Sequence, residues 1–203
     1  MDQPHVAVLA SGQGTNLQAL LDHPGVAPWI SLVISDRRSA GALQRARSRG
    51  VPAVFLDPVE HAEVADFDAA VLANLDAARI GFVVLAGYLR LVGPELVRTY
   101  ENKILNVHPS LLPSFPGMRS VEEALAWGVK VTGMTVHLVD EQLDHGPIVA
   151  QEAVPVLADD DPETLLERVH EVEHRVLPEV VIALVEGRLA VSGRKVRVRE
   201  AVR

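Results

Sequence analysis

The chain has 203 residues, of which 48% are hydrophobic and 23% are charged, a balance typical of a folded globular protein rather than a disordered one. Because it contains no cysteine, disulfides, cysteine-ligated metal sites and thiol nucleophiles are excluded, and a net charge of −8 disfavours nucleic acid as a partner. The sequence shows neither a signal segment nor the about 20 apolar residues of a membrane helix, so we expect a cytoplasmic protein with no membrane partner.

In the first half of the chain, apolar runs alternate with segments of helical period. This pattern predicts strands over residues 5–10, 30–35, 52–56 and 82–86, separated by helices over 16–21, 40–49 and 60–78. Strands that alternate with helices form βαβ units, which build parallel sheets. We therefore predict an α/β fold with a doubly wound, mostly parallel, Rossmann-like sheet, helices on both faces, and ligands at the carboxyl ends of the strands.

The second half of the chain predicts a mixed sheet and one long helix. A strand over 103–107 runs into a proline-rich loop, a helix lies near 121–127, and two strands joined by a turn cover 131–139 and 148–156. Asp161 and Pro162 begin the long helix, since aspartate caps helices and proline suits the first turn. Proline inside the helix at Pro178 should kink it. Its predicted core-facing stripe is Leu165, Val169, Val172, Val176, Val180 and Leu184.

The C-terminal segment 193–203 carries five basic residues and one acidic residue. We interpret it as a solvated terminal strand with Val196 and Val198 on one face, and an anion-binding arm is the alternative. No repeat or low-complexity linker interrupts the chain. A single domain over residues 1–203 is therefore predicted, with halves over 1–100 and 101–203.

A glycine-containing turn, SGQGTN over residues 11–16, connects the first strand to the first helix. Glycines in such a turn let backbone N–H groups approach an anion, and the helix N-terminus adds partial positive charge. The alternative is a plain turn capped by Thr15 or Asn16. Asp36 follows the second strand at the spacing of a dinucleotide site, but Leu17 replaces the third glycine of that motif. We favour a site for a single phosphate.

Asn106 and His108 lie at the end of a buried strand, and alternation places both side chains on the same side. An amide can donate to a developing oxyanion, and an imidazole can transfer a proton near neutral pH. Asp144, in an acidic turn further along the chain, becomes important if it reaches His108. Its carboxylate would then stabilise the imidazolium and raise the pKa of the imidazole, which keeps it a competent acid near pH 7.

Residues 170–174 (HEVEH) fit the H-E-x-x-H pattern, which places His170 and His174 on one face of a helix and is typical of zinc proteases. The motif is short and lies on an acidic helix, where such a match arises by chance. The α/β pattern of the remaining chain also does not suit that class. We expect no metal.

Several stretches together resemble a known family. They are VLASGQGTNLQAL (8–20), VVLAGYLRLV (83–92), ILNVHPSLLPSFPG (104–117) and EEALAWGVKVTGMTVHLVDEQLDHGPIVAQEAVPV (122–156), followed by the long helix with HEVEH. They are similar to the phosphoribosylglycinamide formyltransferases of the formyltransferase superfamily, folate-dependent enzymes of purine synthesis.

The resemblance implies the transfer of a formyl group from 10-formyltetrahydrofolate to the amine of glycinamide ribonucleotide, without a metal. It implies a catalytic trio of Asn106, His108 and Asp144. The first half of the chain would bind the phosphate and the second half would hold the folate and the catalytic groups, in a monomer or homodimer. The implied phosphoribosyl-binding residues are Gly14, Thr15, Asn16, His170 and Glu173. The implied folate-binding residues are Leu89, Arg90, Leu91, Val92, Asn106, Asp140, Glu141, Gln142, Leu143 and Asp144.

Three other functions are weighed against this one. A formyltetrahydrofolate hydrolase shares the trio but usually carries a regulatory domain and lacks the SGxGTN turn. A methionyl-tRNA formyltransferase would need a further domain and a basic surface. A folate- or nucleotide-binding protein without activity would not need Asn106, His108 and Asp144.

Overall fold

The computed structural model describes residues 4–61 and 63–200 of the chain. The chain divides between Leu105 and Asn106 into two compact units. No helix within the described ranges combines the length and the apolar character that crossing a membrane requires.

The first unit contains a parallel sheet. Its strands are β1 (Val6–Leu9), β2 (Ile30–Ser35), β3 (Ala53–Phe55) and β4 (Phe82–Leu85), in the order β3-β2-β1-β4. All three strand pairs are parallel, as the alternation of strands and helices predicts. β1 is completely buried because every one of its residues is apolar. The helices of this unit are α1 (Thr15–Asp22), α2 (Gly41–Ser48), α3 (Val64–Ala77) and α4 (Pro94–Thr99).

Two details of the first unit differ from the prediction. The helix expected from residue 60 begins at Val64, because Pro58–Glu60 form a separate 3₁₀ turn whose cap, Asp57, accepts from the N–H of Val59. Glu63 then caps α3 in a capping box. The short helix α4 was not predicted, since six residues are too few for a helical period to be visible.

Strand β5 (Ile104–His108) runs across the division, and the second unit follows it. This unit contains α5 (Ser120–Trp127), β6 (Val131–Leu138), β7 (Ile148–Pro155), α6 (Pro162–Val185), β8 (Leu189–Ser192) and β9 (Lys195–Val198). β6 and β7 are antiparallel, β9 is parallel to β7, and β8 and β9 form a hairpin. The predicted mixed sheet is confirmed. The predicted terminal strand is exposed, and its partner β8 was not predicted.

Helix α6 begins as predicted, with Asp161 accepting from the N–H of Thr164, and it continues past Pro178. The predicted core stripe is partly wrong. Val172 and Val176 are only half-buried, whereas Glu173, Leu177 and Val181 face the interior. A carboxylate therefore occupies the inner face of this helix, which a hydrophobic period cannot reveal.

Candidate active site

Asn106 and His108 lie at the carboxyl end of β5, where the strand runs into a turn. The strand is buried at Ile104 and Leu105, which fixes its position by packing. His108 is 5% exposed and Asn106 is half-buried. Both side chains reach the same partner, as expected for alternate residues of one strand.

That partner is Asp144, in the turn between β6 and β7. Its Oδ1 accepts from Asn106 Nδ2 at 3.4 Å, and its Oδ2 lies 3.5 Å from Nδ1 of His108. The backbone N–H of Gly117 donates to Oδ2 at 2.7 Å. Asp144 has a φ of 49°, a left-handed conformation that aspartate adopts more readily than most residues. The structure thus brings together the three residues that the sequence singled out.

A fourth polar residue of this cluster, His137 on β6, was missed by the sequence analysis. Its Nδ1 lies 2.9 Å from the carbonyl of Leu138, so that nitrogen carries a hydrogen. Its Nε2 lies 3.1 Å from Asn106 Nδ2 and 3.8 Å from Oδ1 of Asp144. The available signal was a histidine in a predicted strand, seven residues before Asp144.

The side-chain amide of Asn106 and the imidazole of His108 already face polar atoms of the protein. The amide of Asn106 faces His137 and Asp144, and His108 Nε2 lies 2.8 Å from the carbonyl of Phe115 while its Nδ1 faces Asp144. A substrate oxygen must therefore replace one protein acceptor in order to receive a hydrogen bond from Asn106 or His108. This exchange limits the cost of holding unpaired polar groups in a buried site.

The pKa of His108 corrects one expectation. Burial lowers this pKa, and it outweighs the raising effects of the Asp144 carboxylate and the Phe115 carbonyl. The net shift is therefore downward, which is the opposite of the rise predicted from the carboxylate alone. For Asp144, burial acts to raise the pKa, but His137, the Gly117 N–H and His108 together hold it below its usual value. Asp144 is ionised.

The loop after β5 is held by buried hydroxyl and amide groups. Thr135 Oγ1 donates to the carbonyl of Ser110 at 2.6 Å and accepts from the N–H of Leu112 at 3.1 Å. Gln151 Nε2 donates to the carbonyl of Leu112 at 2.8 Å. These bonds hold the segment that carries the Phe115 carbonyl against His108. Strands β6 and β7 therefore form part of the sheet and also hold in place the loop that contacts His108.

The glycine turn of the first unit is built around Gly14, which has a φ of 74° and is the N-cap of α1. The N-cap residue is a glycine and therefore has no side chain with which to cap the helix. A Cβ at Gly14 would come within 2.7 Å of the Cα of Ala42, so the turn lies directly against α2. Arg45 of α2 donates from Nε to the carbonyl of Gln13 at 2.8 Å.

The two segments that are expected to bind folate are each held by contacts within their own unit. In the second unit, Asp140 accepts from the N–H of Gln142 at 2.9 Å and binds His145 at 2.7 Å, while Leu143 is exposed. In the first unit, the segment 89–92 is held by several contacts and exposes the side chains of Leu89 and Leu91.

The HEVEH residues of α6 form a compact group. The rings of His170 and His174 are stacked with centroids 5.9 Å apart, and His170 Nε2 lies 3.9 Å from Oε2 of the buried Glu173. Burial, and then the charge of His174, lowers the pKa of His170. Across residues 4–61 and 63–200, no group of three or more histidine, aspartate or glutamate side chains is arranged to hold a metal ion.

Comparison with known proteins identifies the class to which this fold and site belong. The formyl transferase domain matches residues 4–181. A crystal structure of glycinamide ribonucleotide transformylase 1 from Symbiobacterium toebii superimposes with a TM-score of 0.94 at 46% identity, covering 98% of this chain and 95% of that one. The chain belongs to the formyl transferase family.

Named relatives show to which group within the family the chain belongs. The phosphoribosylglycinamide formyltransferase of Mycobacterium tuberculosis is 43% identical over 200 residues, covering 95% of this chain and 93% of the relative. The trifunctional purine biosynthetic protein adenosine-3 of Drosophila melanogaster is 41% identical, but the chain spans only 14% of its length. Within the family, the chain is therefore a member of the phosphoribosylglycinamide formyltransferases, which are one-carbon transferases.

Proposed function

We propose that this chain transfers the formyl group of 10-formyltetrahydrofolate to the amine of glycinamide ribonucleotide, in purine biosynthesis and in the cytoplasm. The observation that supports this most directly is the contact of Asp144 with both Asn106 and His108 at the carboxyl end of β5. Relatives of nearly the same length carry the name of this activity. The chain acts as one formyltransferase domain, as a monomer or homodimer, on small molecules alone.

The formyl group passes directly from the folate to the amine, by addition of the amine and then loss of the folate. The amine nitrogen attacks the formyl carbon, and the carbonyl oxygen becomes an oxyanion that accepts hydrogen bonds from Asn106 and His108. Burial lowers the pKa of His108, and the Asp144 carboxylate acts against this shift by supporting a positive charge on the ring. The tetrahedral carbon then releases N10 of the folate, and the proton of the amine passes to N10. No metal takes part in any of these steps.

The two substrates are assigned to different residues. Gly14, Thr15 and Asn16 bind the phosphate through backbone N–H groups at the start of α1, since a helix N-terminus carries partial positive charge and a glycine at the N-cap lets an anion approach the backbone. His170 and Glu173 bind the sugar or the amine. The folate contacts are assigned to the segment 89–92 in the first unit and, in the second unit, to Asn106 and the segment 140–144.

The decisive experiment measures the deformylation of 10-formyltetrahydrofolate with and without glycinamide ribonucleotide. We expect turnover only when the nucleotide is present, with one formylated nucleotide formed for each folate consumed. Turnover to formate without the nucleotide would instead identify a hydrolase. Folate binding without turnover under either condition would identify a binding protein.

A further inference from the structure

Helix α3 carries a buried carboxylate on an otherwise apolar inner face. Phe67, Val71 and Leu75 are at most 1% exposed, and Asp68 is only 4% exposed. Oδ2 of Asp68 accepts from the backbone N–H of Gly93 at 2.5 Å. Gly93 has an ordinary φ of −78°, so glycine is needed there for space, because a Cβ would overlap Oδ2 of Asp68. The two residues fit each other closely.

This bond holds one end of the segment 89–92. At the other end, the N–H of Ser11 donates to the carbonyl of Gly87 at 2.9 Å, and Ser11 Oγ accepts from the N–H of Leu89 at 2.9 Å. Between the two ends, the guanidinium of Arg90 lies 4.3 Å above the ring of Phe67. The segment is therefore held through its backbone at both ends and through the side chain of Arg90 between them.

The side chains of this held segment face outward. Leu89 is 44% exposed and Leu91 is 66% exposed, although both are large and apolar. Apolar side chains on a backbone that is fixed in advance bind a ligand at a lower entropic cost than a mobile loop does. The segment therefore presents apolar side chains on a fixed backbone, which is an arrangement suited to ligand binding.

The buried carboxylate of Asp68 lowers the folding stability at neutral pH. Burial raises the pKa of Asp68, and the charge of Glu95 raises it further. The Gly93 N–H and the charge of Arg90 lower this pKa, but the net shift is upward. Burial also raises the pKa of Tyr88, so the nearby phenol stays neutral. A raised folded-state pKa means that Asp68 favours folding only below its ordinary pKa of 3.8, and that this contribution is lost as the pH rises through the folded value. At neutral pH a neutral side chain would be better for stability.

We propose that Asp68 is a positioning residue for the binding of formyl-folate, because its bond to Gly93 fixes the backbone of the segment 89–92. This proposal rests on the proposed function, in which that segment contacts the folate. A buried charge that lowers stability and also orders an exposed apolar segment is expected where binding needs preorganisation.

The test compares Asp68→Ala with Asp76→Asn, an exposed aspartate of the same helix, in the full-length protein. For Asp68→Ala we expect the KM for 10-formyltetrahydrofolate to rise about tenfold, as for the loss of one hydrogen bond to a charged group. The KM for glycinamide ribonucleotide should stay within about twofold of its original value, since the glycine turn is untouched. Asp76→Asn should match the unmodified protein in both constants.

Two further variants keep the proposal testable if Asp68→Ala does not fold. Asp68→Asn retains an oxygen for the Gly93 N–H, so its KM for folate should rise less, while its thermal midpoint at pH 8 should be higher than that of the unmodified protein. Gly93→Ala pushes the carboxylate aside and should raise the KM for folate as Asp68→Ala does. The double variant should be no worse than either single one, because the removed carboxylate leaves space for the new Cβ.

Calorimetric titration with tetrahydrofolate provides a reading that does not depend on turnover. A rise in the dissociation constant parallel to the rise in KM supports the positioning role. The proposal is overturned if folded Asp68 variants bind folate as the unmodified protein does, or if both substrate constants rise together. An unmodified protein that binds tetrahydrofolate but transfers no formyl group would refute the proposed function and leave the positioning of folate intact.

Discussion

Asparagine in place of Asp144 separates the role of the carboxylate charge from that of the side-chain shape. In the native cluster, Oδ2 accepts from the Gly117 N–H at 2.7 Å and Oδ1 faces the Asn106 amide at 3.4 Å. An asparagine has one oxygen and one NH₂ group, so either Gly117 or Asn106 then faces a donor. His108, 3.5 Å from Oδ2, also loses the charge that supports its protonated form.

The expected magnitude follows from these contacts. A hydrogen bond to a charged group contributes about 1.5–3 kcal/mol, which corresponds to roughly 10- to 150-fold in rate. Loss of the support for His108 adds to this, so kcat for Asp144→Asn should fall about 10²-fold or more. The KM for glycinamide ribonucleotide should change little, because its expected phosphate-binding residues are Gly14, Thr15 and Asn16.

Steady-state kinetics with both substrates measure this effect, with Asp159→Asn as the control because Asp159 is exposed and belongs to no proposed site. Thermal unfolding between pH 3 and 8 checks the fold. The folded pKa of Asp144 is lowered, so its stabilising contribution is present above 3.8 and lost as the pH falls through the folded value. A folded Asp144→Asn protein with kcat within about threefold of the control would refute the reasoning, since less than 1 kcal/mol would then depend on the charge.

Three other predictions concern separate parts of the chain. Burial lowers the pKa of His108, so the contribution of this residue to stability is present above pH 6.5 and is lost as the pH falls through the folded pKa. The thermal midpoint of the unmodified protein should therefore fall more steeply with acidification than that of His108→Asn. Gly14→Ala should lower the unfolding free energy, measured with urea, by about 1–3 kcal/mol and raise the KM for the nucleotide more than that for folate, because φ is 74° and Ala42 leaves no space. Dialysis against EDTA should leave kcat unchanged, and a loss reversed by zinc would point to His170 and His174 as ligands.

Most of the first unit was predictable because its signals are local. Completely apolar runs such as Val6–Leu9 form buried strands wherever they lie, and helices between them force parallel pairing. The N-cap Asp161 was predictable for the same reason, since a cap bonds within its own turn. The prediction failed at α4, where six residues are too few to show a helical period, at the short strand β8, and where α6 turns Glu173 inward.

The residue types of the site were visible in the sequence, but their electrostatics were not. Asn106 and His108 share one side of a strand by simple alternation. Their meeting with Asp144, 38 residues from Asn106, depends on how β6 returns beside the loop, and the same packing brings in His137. Burial then lowers the pKa of His108, which a neighbouring carboxylate alone would have raised.

The sequence by itself thus determined the order of strands and helices, the glycine turn and the polar residues at the end of β5, because each depends on neighbours along the chain. Only the tertiary structure decided which distant side chains touch, which carboxylate lies buried beneath the segment 89–92, and in which direction the pKa of His108 shifts. These properties depend on desolvation and on contacts between residues far apart in the chain, and both arise only when the elements pack.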